Sequence, residues 1–253
     1  MNTDERLMAN IIGEYISSLR WEKHIKQYTL AQKAGIPIRS LRVIEKELVH
    51  MLVENPRRIN HEELRILAQN AKGSIEHIYL HWTAGRYGQA FDDYHLNIDE
   101  HGEIYQTCRG LTDVKWHTWN RNTRSIGVTL CCAYGAVLNA KWNPVYYGYE
   151  PTEMQVNQLA AVIAILCHEL ELEISFYTVK THAEVAFLDG YAPGQDDPDM
   201  RWDLFLLRGL PESNNLSPGG DLLRKKAMEY SKALEYAEVL GVAKPQELEL
   251  LAA

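Results

Sequence analysis

The spacing of apolar residues changes after Gly73–Ser74, and this change constrains the fold more than any other feature of the chain. Before it, apolar residues recur every three to four positions, the period of a helix that buries one face. After it, residues 75–83 alternate between apolar and polar in the manner of a strand. The sequence therefore predicts a small all-helical module over residues 1–74, without a convincing strand, followed by a domain that contains both strands and helices.

Strand and helix signals alternate in the second part of the chain. Further strands are predicted at 94–98, 103–106, 125–130 and 174–179, and the first two of these are joined by a turn that contains Gly102. Thr152 and Gln155 have the spacing of a capping box, so a long amphipathic helix is predicted to start there. This order indicates an α/β or α+β fold over residues 75–210, with a mixed central sheet flanked by helices.

A last helix is predicted from Gly219 to about Leu240, within a C-terminal helical extension over residues 211–253. Its apolar side favours docking on the domain of residues 75–210 or on the N-terminal module, with a membrane surface or a partner as the alternative.

Residues 28–45 have the spacing of a helix-turn-helix. A capping box from Thr29 to Gln32 precedes a glycine that can end one helix and a proline that suits the start of the next. The segment resembles the repressor-type helix-turn-helix family, although a plain helical bundle would contain the same turn. In that family the second helix enters the major groove of DNA, which would present Arg39, Ser40 and Arg42.

Charge and composition limit the possible functions. Residues 1–74 carry 12 Lys and Arg against 9 Asp and Glu, a net charge of +3, which leaves 14 against 25, or −11, for the remainder of a chain of net charge −8. Such a small positive charge disfavours strong DNA binding, because phosphate neutralisation supplies most of that affinity. No stretch approaches the roughly 18 apolar residues of a membrane span, and the first residues lack the pattern of a secretory signal. We therefore expect a protein that is cytoplasmic as synthesised and has no transmembrane segment.

Three residues could form a catalytic metal site. His81, His182 and Asp203 each lie in a short signature, written His-Trp-Thr-Ala-Gly, Thr-His-Ala-Glu and Arg-Trp-Asp-Leu. A catalytic zinc commonly takes three nitrogen or oxygen ligands and keeps a fourth position for water. Two imidazoles and one carboxylate would therefore make a hydrolytic Zn²⁺ site.

Five features follow one another in a recognisable order between residues 75 and 208. They are the strand that ends in His81–Gly85, the hairpin that begins with Tyr94–His95, the segment Asn122–Val128, the long helix, and Thr181–Glu184. In this order they resemble the type 2 N-acetylmuramoyl-L-alanine amidases, zinc enzymes that share a fold with amidase-type phage lysozymes and peptidoglycan recognition proteins. The resemblance implies hydrolysis of the amide that joins N-acetylmuramic acid to L-alanine of the stem peptide, in peptidoglycan or in muropeptides.

The resemblance also implies roles for individual residues. His81 and His182 would be zinc ligands at the ends of two neighbouring strands, and the third ligand would be Asp203 or Asp197. Asp197 has the setting seen in recycling and periplasmic amidases, whereas Asp203 resembles the phage and prophage branch. We favour Asp203, because the tryptophan and leucine beside it would hold its carboxylate still. The residues expected to bind substrate are Trp82, Thr83, His117 and Asn122.

Tyr94 and Glu184 are the predicted catalytic residues. Tyr94 matches the family tyrosine before the hairpin histidine and would donate to the oxyanion. Some family members carry a glutamate where this chain has Thr129, and phage-type members use a lysine near the third ligand, but no lysine lies between His182 and Asp203. Glu184 is therefore the candidate general base and proton shuttle, with the orientation of a histidine as its alternative role.

The predicted biological role is that of a phage or prophage endolysin, or of an antibacterial effector that degrades the cell wall. A holin or a secretion system would then have to deliver the protein. The alternatives are a cytosolic amidase that recycles anhydro-muropeptides, and a non-catalytic regulator that binds muropeptides and uses the helix-turn-helix.

Overall fold

A mixed sheet lies at the centre of the structure, a computed structural model that describes residues 52–195, 200–208 and 215–239. The predicted helix-turn-helix, with Arg39, Ser40 and Arg42, and the alternative ligand Asp197 lie outside the described residues. The strands are β1 (Arg57–Ile59), β2 (His77–Trp82), β3 (Leu96–Ile98), β4 (Ile104–Gln106), β5 (Ser125–Leu130), β6 (Val137–Leu138), β7 (Pro144–Val145), β8 (Val179–Thr181), β9 (Leu206–Arg208) and β10 (Leu216–Pro218). The helices of the described residues are α1 (His61–Ala71), α2 (Glu153–Leu170), α3 (His182–Asp189) and α4 (Gly219–Val239).

Six strands form the central sheet, in the order β1-β4-β3-β5-β2-β8. Strands β3, β5, β2 and β8 are parallel to one another, whereas β4 is antiparallel to both β1 and β3. β6 pairs with β7 and β9 with β10 in two small antiparallel ribbons. The predicted hairpin of β3 and β4 is confirmed, with Gly102 at φ +78° in its turn. The predicted mixed sheet flanked by helices is likewise confirmed.

Helix α2 covers one face of the sheet and begins where the sequence predicts. The Thr152 hydroxyl accepts a hydrogen bond from the Gln155 amide nitrogen, and the Gln155 side chain accepts one from the Thr152 nitrogen. The side-chain amide of Gln155 also donates to the carbonyl oxygens of Ile98 and Cys131, at 3.1 and 3.3 Å. The capping box thus starts the helix and attaches it to two strand ends.

The last strand of the sheet starts later than predicted. The sequence indicates a strand over 174–179, but β8 begins only at Val179, because Ser175 and Thr178 form a turn in front of it. The Val179 nitrogen donates to the Ser175 carbonyl at 2.9 Å, and the two hydroxyl groups contact each other at 3.1 Å. Hydroxyl side chains satisfy the local backbone here in place of a neighbouring strand.

Residues 52–74 lie before the predicted domain boundary but pack with the sheet that follows it. Strand β1 pairs with β4, although no strand was expected before residue 75, and α1 packs on α2. Leu64, Ala68 and Ala71 of α1 are buried in the main core, and Arg65 pairs with Glu169 of α2 at 2.6 Å. The division of the chain into domains otherwise stays a prediction.

The C-terminal helix is present from Gly219, as predicted, and it packs on α2 and the central sheet. Leu223, Ala227 and Leu234 of α4 are buried in the same core as α2, and α4 also contacts β8. Among the described residues, every helix is too short or too polar to cross a membrane.

Replacement of Leu64 by alanine tests whether α1 belongs to this core. Leu64 is fully buried, so Leu64→Ala should lower the free energy of unfolding by about 2–5 kcal/mol. Ile66 on the same helix is 51% exposed, so Ile66→Ala should change it by no more than about 0.5 kcal/mol. Urea unfolding followed by circular dichroism measures both. Equal effects of the two substitutions would show that α1 does not pack as described.

Candidate metal centre

Two histidines meet at the carboxyl ends of neighbouring parallel strands. His81 lies one residue before the end of β2, and His182 follows directly after β8 as the first residue of α3. Leu80 is opposite Thr181 in the register, so the residues that follow each of them are also neighbours. The two rings lie 4.8 Å apart between centroids, edge to face. The sheet topology therefore brings together two residues that are 101 positions apart in the sequence.

Asp203 completes a three-residue cluster from the turn before β9. The Nδ1 atoms of His81 and His182 are 3.1 Å apart, and one carboxylate oxygen of Asp203 lies 3.5 and 3.4 Å from them. Four-coordinate zinc with bonds of about 2.0–2.1 Å separates its ligand atoms by about 3.3 Å. The three side chains have the donor types and the spacing to hold such an ion, and they are the sole group of its kind among the described residues.

His81 and Asp203 have the protonation states of metal ligands. Burial lowers the pKa of His81 to about 4, against the raising effect of Asp203, so the ring is neutral at pH 7. Burial alone would raise the pKa of Asp203, but the two histidines hold it well below its usual range. A deprotonated carboxylate and a neutral imidazole are the forms that bind a metal ion.

Hydrogen bonds behind His81 orient its ring. The Nε2 atom of His81 faces the Thr118 hydroxyl at 3.4 Å, and that hydroxyl contacts Nδ1 of His117 at 3.0 Å. Nε2 of His117 faces the Ser125 hydroxyl at 3.4 Å, which donates to the Arg121 carbonyl at 2.8 Å. Each of these hydrogen bonds has one donor and one acceptor if every group donates to the next one, ending at the Arg121 carbonyl. In that arrangement Nε2 of His81 carries the proton and Nδ1 is free to bind a metal.

Gly127 makes room for this chain of hydrogen bonds. A Cβ atom at residue 127 would lie 2.6 Å from two ring carbons of His117, so any larger residue at this position would displace the ring. Burial keeps the pKa of His117 well below 6.5, in agreement with a neutral ring that donates at one nitrogen and accepts at the other.

Three of the residues expected to bind substrate are buried and contact other residues of the fold, and their role in substrate binding stays a prediction. His117 is buried behind His81, and Asn122 is buried and accepts a hydrogen bond from the Thr118 nitrogen at 2.8 Å. Trp82 is buried edge to face against Trp202, 4.6 Å between centroids. The close approach of loop and sheet encloses all three side chains. Thr83 is half-buried, and its hydroxyl accepts from the Gly85 nitrogen at 3.0 Å.

Tyr94 lies beside the cluster. Its ring centroid is 5.1 Å from that of His81, and its hydroxyl donates to the Trp82 carbonyl at 3.4 Å. Burial raises the pKa of Tyr94 well above 10, so the hydroxyl keeps its proton and remains a donor. The predicted role in binding an oxyanion stays a prediction.

Glu184 is occupied by other contacts. Its carboxylate accepts from the Thr181 nitrogen at 2.9 Å, while Thr181 caps the helix reciprocally. Both carboxylate oxygens also accept from Arg224 of α4, at 2.9 and 2.7 Å. Both carboxylate oxygens are therefore engaged by donors from the helix start and from α4. These contacts favour the alternative role of a residue that orients a histidine.

Arg201 is a charged neighbour that the sequence prediction missed. Burial is the largest effect on both neighbouring groups: it lowers the pKa of His81 and raises that of Tyr94. The positive charge of Arg201 lowers both pKa values. The sequence contains a signal for it, because Arg201 lies two residues before Asp203 in a stretch where a lysine was sought. An arginine supplies the same charge with a different geometry.

The fold and the cluster define an α/β protein with a potential His-His-Asp metal centre at the carboxyl ends of its parallel strands. The sequence model of the N-acetylmuramoyl-L-alanine amidase family matches residues 71–199, which is half of the chain, and the chain belongs to this family. The predicted family and enzyme class are thereby confirmed. The match includes His81 and His182 and ends before Asp203.

Two solved structures from Clostridium intestinale URNW are similar to this chain. One is described as the endolysine N-acetylmuramoyl-L-alanine amidase LysCS and the other as the N-acetylmuramoyl-L-alanine amidase LysC. Each is 19% identical with a TM-score of 0.32 over 44% of this chain, and the similarity covers 71% of the first and 72% of the second. At that TM-score the likeness supports no argument about function. No curated protein matches the chain in sequence.

Removal of the Thr118 hydroxyl tests the hydrogen bonds behind His81. Thr118→Val keeps the shape of the side chain but leaves Nε2 of His81 without its partner, so zinc affinity should fall about 10- to 100-fold. Thr118→Ser retains the hydroxyl and should stay within about threefold of the unsubstituted protein. Competition with a chromophoric chelator measures the affinity. Equal affinities of the valine and serine variants would contradict the role assigned to this hydroxyl.

Proposed function

We propose that this protein is a zinc-dependent amidase that cleaves peptidoglycan between N-acetylmuramic acid and L-alanine. Family membership supports the reaction, and the triangle of donor atoms from His81, His182 and Asp203 supports the metal. These three side chains would bind Zn²⁺ and leave a fourth position open. When bound, the metal would polarise the scissile carbonyl and make hydroxide available at neutral pH.

The reaction needs groups that face the developing charge. Water adds to the carbonyl carbon, the carbon–nitrogen bond breaks, and the products are the lactyl carboxylate and the free amine of L-alanine. We assign the stabilisation of the oxyanion to Tyr94, which is protonated and in contact with His81, together with the positive charge of Arg201.

We assign to Glu184 a positioning role instead of the proton shuttle predicted from the sequence. Its carboxylate caps the helix that His182 begins and pairs with Arg224, so it supports the ligand through the backbone. Glu184→Gln should therefore affect metal affinity, whereas the loss of a general base would lower only the rate.

We further propose that the enzyme acts on the intact cell wall, as an endolysin or antibacterial effector delivered by a holin or secretion system. A cytosolic recycling enzyme would act only on soluble anhydro-muropeptides. DNA binding by residues 1–74 stays a prediction, and mobility-shift assays at low salt would test it.

Digestion of purified sacculi tests the proposed function. The unsubstituted protein should release glycan and intact stem peptides, identified by mass spectrometry, and chelation should abolish the activity. His182→Ala should be inactive, because it removes one of the donor atoms. The matched control is His101→Ala, since the side chain of His101 is largely exposed, and it should be fully active. Activity on soluble fragments but not on sacculi would instead identify the recycling enzyme, and an active His182→Ala protein would exclude the proposed site.

Kinetics of a Tyr94→Phe variant test the assignment of the oxyanion donor. Removal of one donor should lower kcat roughly 100- to 1,000-fold, because the donor acts mainly in the transition state. Zinc content should not change, since the Tyr94 hydroxyl bonds to the Trp82 carbonyl and not to a ligand. Measurement of kcat and zinc content on the same sample separates the two effects. A loss of zinc in parallel with activity would assign Tyr94 to the support of the metal site.

A further inference from the structure

Helix α4 lies beyond the family match at residues 71–199 and contacts both segments that carry the proposed ligands. At Gly219, an added Cβ atom would lie well inside 3.0 Å of the Leu204 carbonyl oxygen, so only glycine can approach this backbone so closely. The Gly219 nitrogen also donates to the Phe205 carbonyl at 3.0 Å. The first residue of α4 thus contacts the two residues that follow Asp203.

The backbone after Asp203 needs such support. Leu204 has φ +56°, a left-handed conformation that is unfavourable for a side chain with a Cβ atom, and it is fully buried. A residue persists in this conformation when its surroundings hold it there. The close contact with Gly219 is one of the interactions that hold Leu204, and therefore the adjacent ligand, in place.

Gly220 approaches the other ligand segment. A Cβ atom at this residue would lie well inside 3.0 Å of the Glu184 carboxylate, which therefore occupies the space that a side chain would need. Glu184 lies two residues after His182, on the same helix. The start of α4 is consequently packed against the helix that begins with a proposed ligand.

Arg224 joins the two helices by a buried ion pair. Its side chain is 7% exposed and donates to both oxygens of Glu184 at 2.7 and 2.9 Å, to Asp221 at 2.6 Å, and to the Val179 carbonyl of β8 at 3.0 Å. Loss of one partner of a buried pair leaves an uncompensated charge inside the protein. The orientation of α3, and hence of His182, is therefore coupled to α4.

We propose that Gly219 and Arg224 are positioning residues for the metal centre, so that the catalytic unit extends through the first turns of α4. Gly219 acts on Asp203 through Leu204, and Arg224 acts on His182 through Glu184. The inference rests on the proposed function, because it takes His81, His182 and Asp203 as the zinc ligands. If α4 only added stability, substitutions in it would lower the melting temperature without changing the metal affinity of the folded protein.

Substitution of Arg224 in the full-length protein tests the proposal. Arg224→Met should weaken zinc affinity about 10- to 100-fold and change the visible absorption spectrum of the Co²⁺-substituted protein. Arg224→Lys should give a smaller loss, because lysine keeps the positive charge but lacks the two-armed geometry that contacts both carboxylate oxygens. Affinity is measured by chelator competition under conditions where circular dichroism shows the metal-free variant to be folded.

Lys226→Met is the matched control on the same helix. Lys226 donates to Asn157 of α2 at 2.8 Å and contacts no ligand segment in the described structure, so its loss should leave zinc affinity within about threefold and the Co²⁺ spectrum unchanged. If Arg224→Met does not fold, Glu184→Gln replaces it, because it removes the charge that Arg224 pairs with and keeps the side-chain shape.

A folded Arg224→Met protein, or the Glu184→Gln protein in its place, with unchanged zinc affinity and Co²⁺ spectrum would overturn the proposal. Failure of the unsubstituted protein to bind one equivalent of zinc would instead overturn the proposed metal centre. The two failures are therefore distinguishable.

Discussion

The buried carboxylate of Asp203 is the group on which the rest of the site depends. It is ionised, and one of its oxygen atoms contacts the imidazoles of both His81 and His182. Because burial keeps His81 neutral at pH 7, that imidazole does not compensate the negative charge. Burial of a charge costs several kcal/mol unless nearby groups compensate it. A cation held by the three side chains would compensate this charge.

The scaffold around this carboxylate holds the candidate ligands by strand pairing and buried polar contacts. The parallel pairing of β2 with β8 determines the separation of the two histidines. Behind His81, a chain of hydrogen bonds through Thr118 ends on a backbone carbonyl, and Gly127 provides the space that it needs. Rigid support of this type matters because a metal site loses affinity when its ligands can rotate. Strand geometry thus places the ligands, and buried polar contacts orient them.

Much of the site could be predicted because its signals are local. The capping box at Thr152, the hairpin around Gly102 and the three ligand signatures depend on residues close together in the sequence. Strand β1 could not be found in this way, since three residues are too few to establish a period. His117 was expected to bind substrate, but the sequence gives no sign that its ring packs against Gly127, ten residues away on β5.

Glu184 shows how one pattern can carry two interpretations. The segment from Thr181 to Glu184 is a capping box as well as part of a catalytic signature, and the structure contains the reciprocal hydrogen bonds of the box. Its second partner, Arg224, lies 40 residues further along the chain, and no local pattern predicts that contact. The carboxylate therefore connects the start of α3 to a helix that the family match does not include. Asp203 also lies beyond residues 71–199, so the family match does not include every residue of the candidate metal centre.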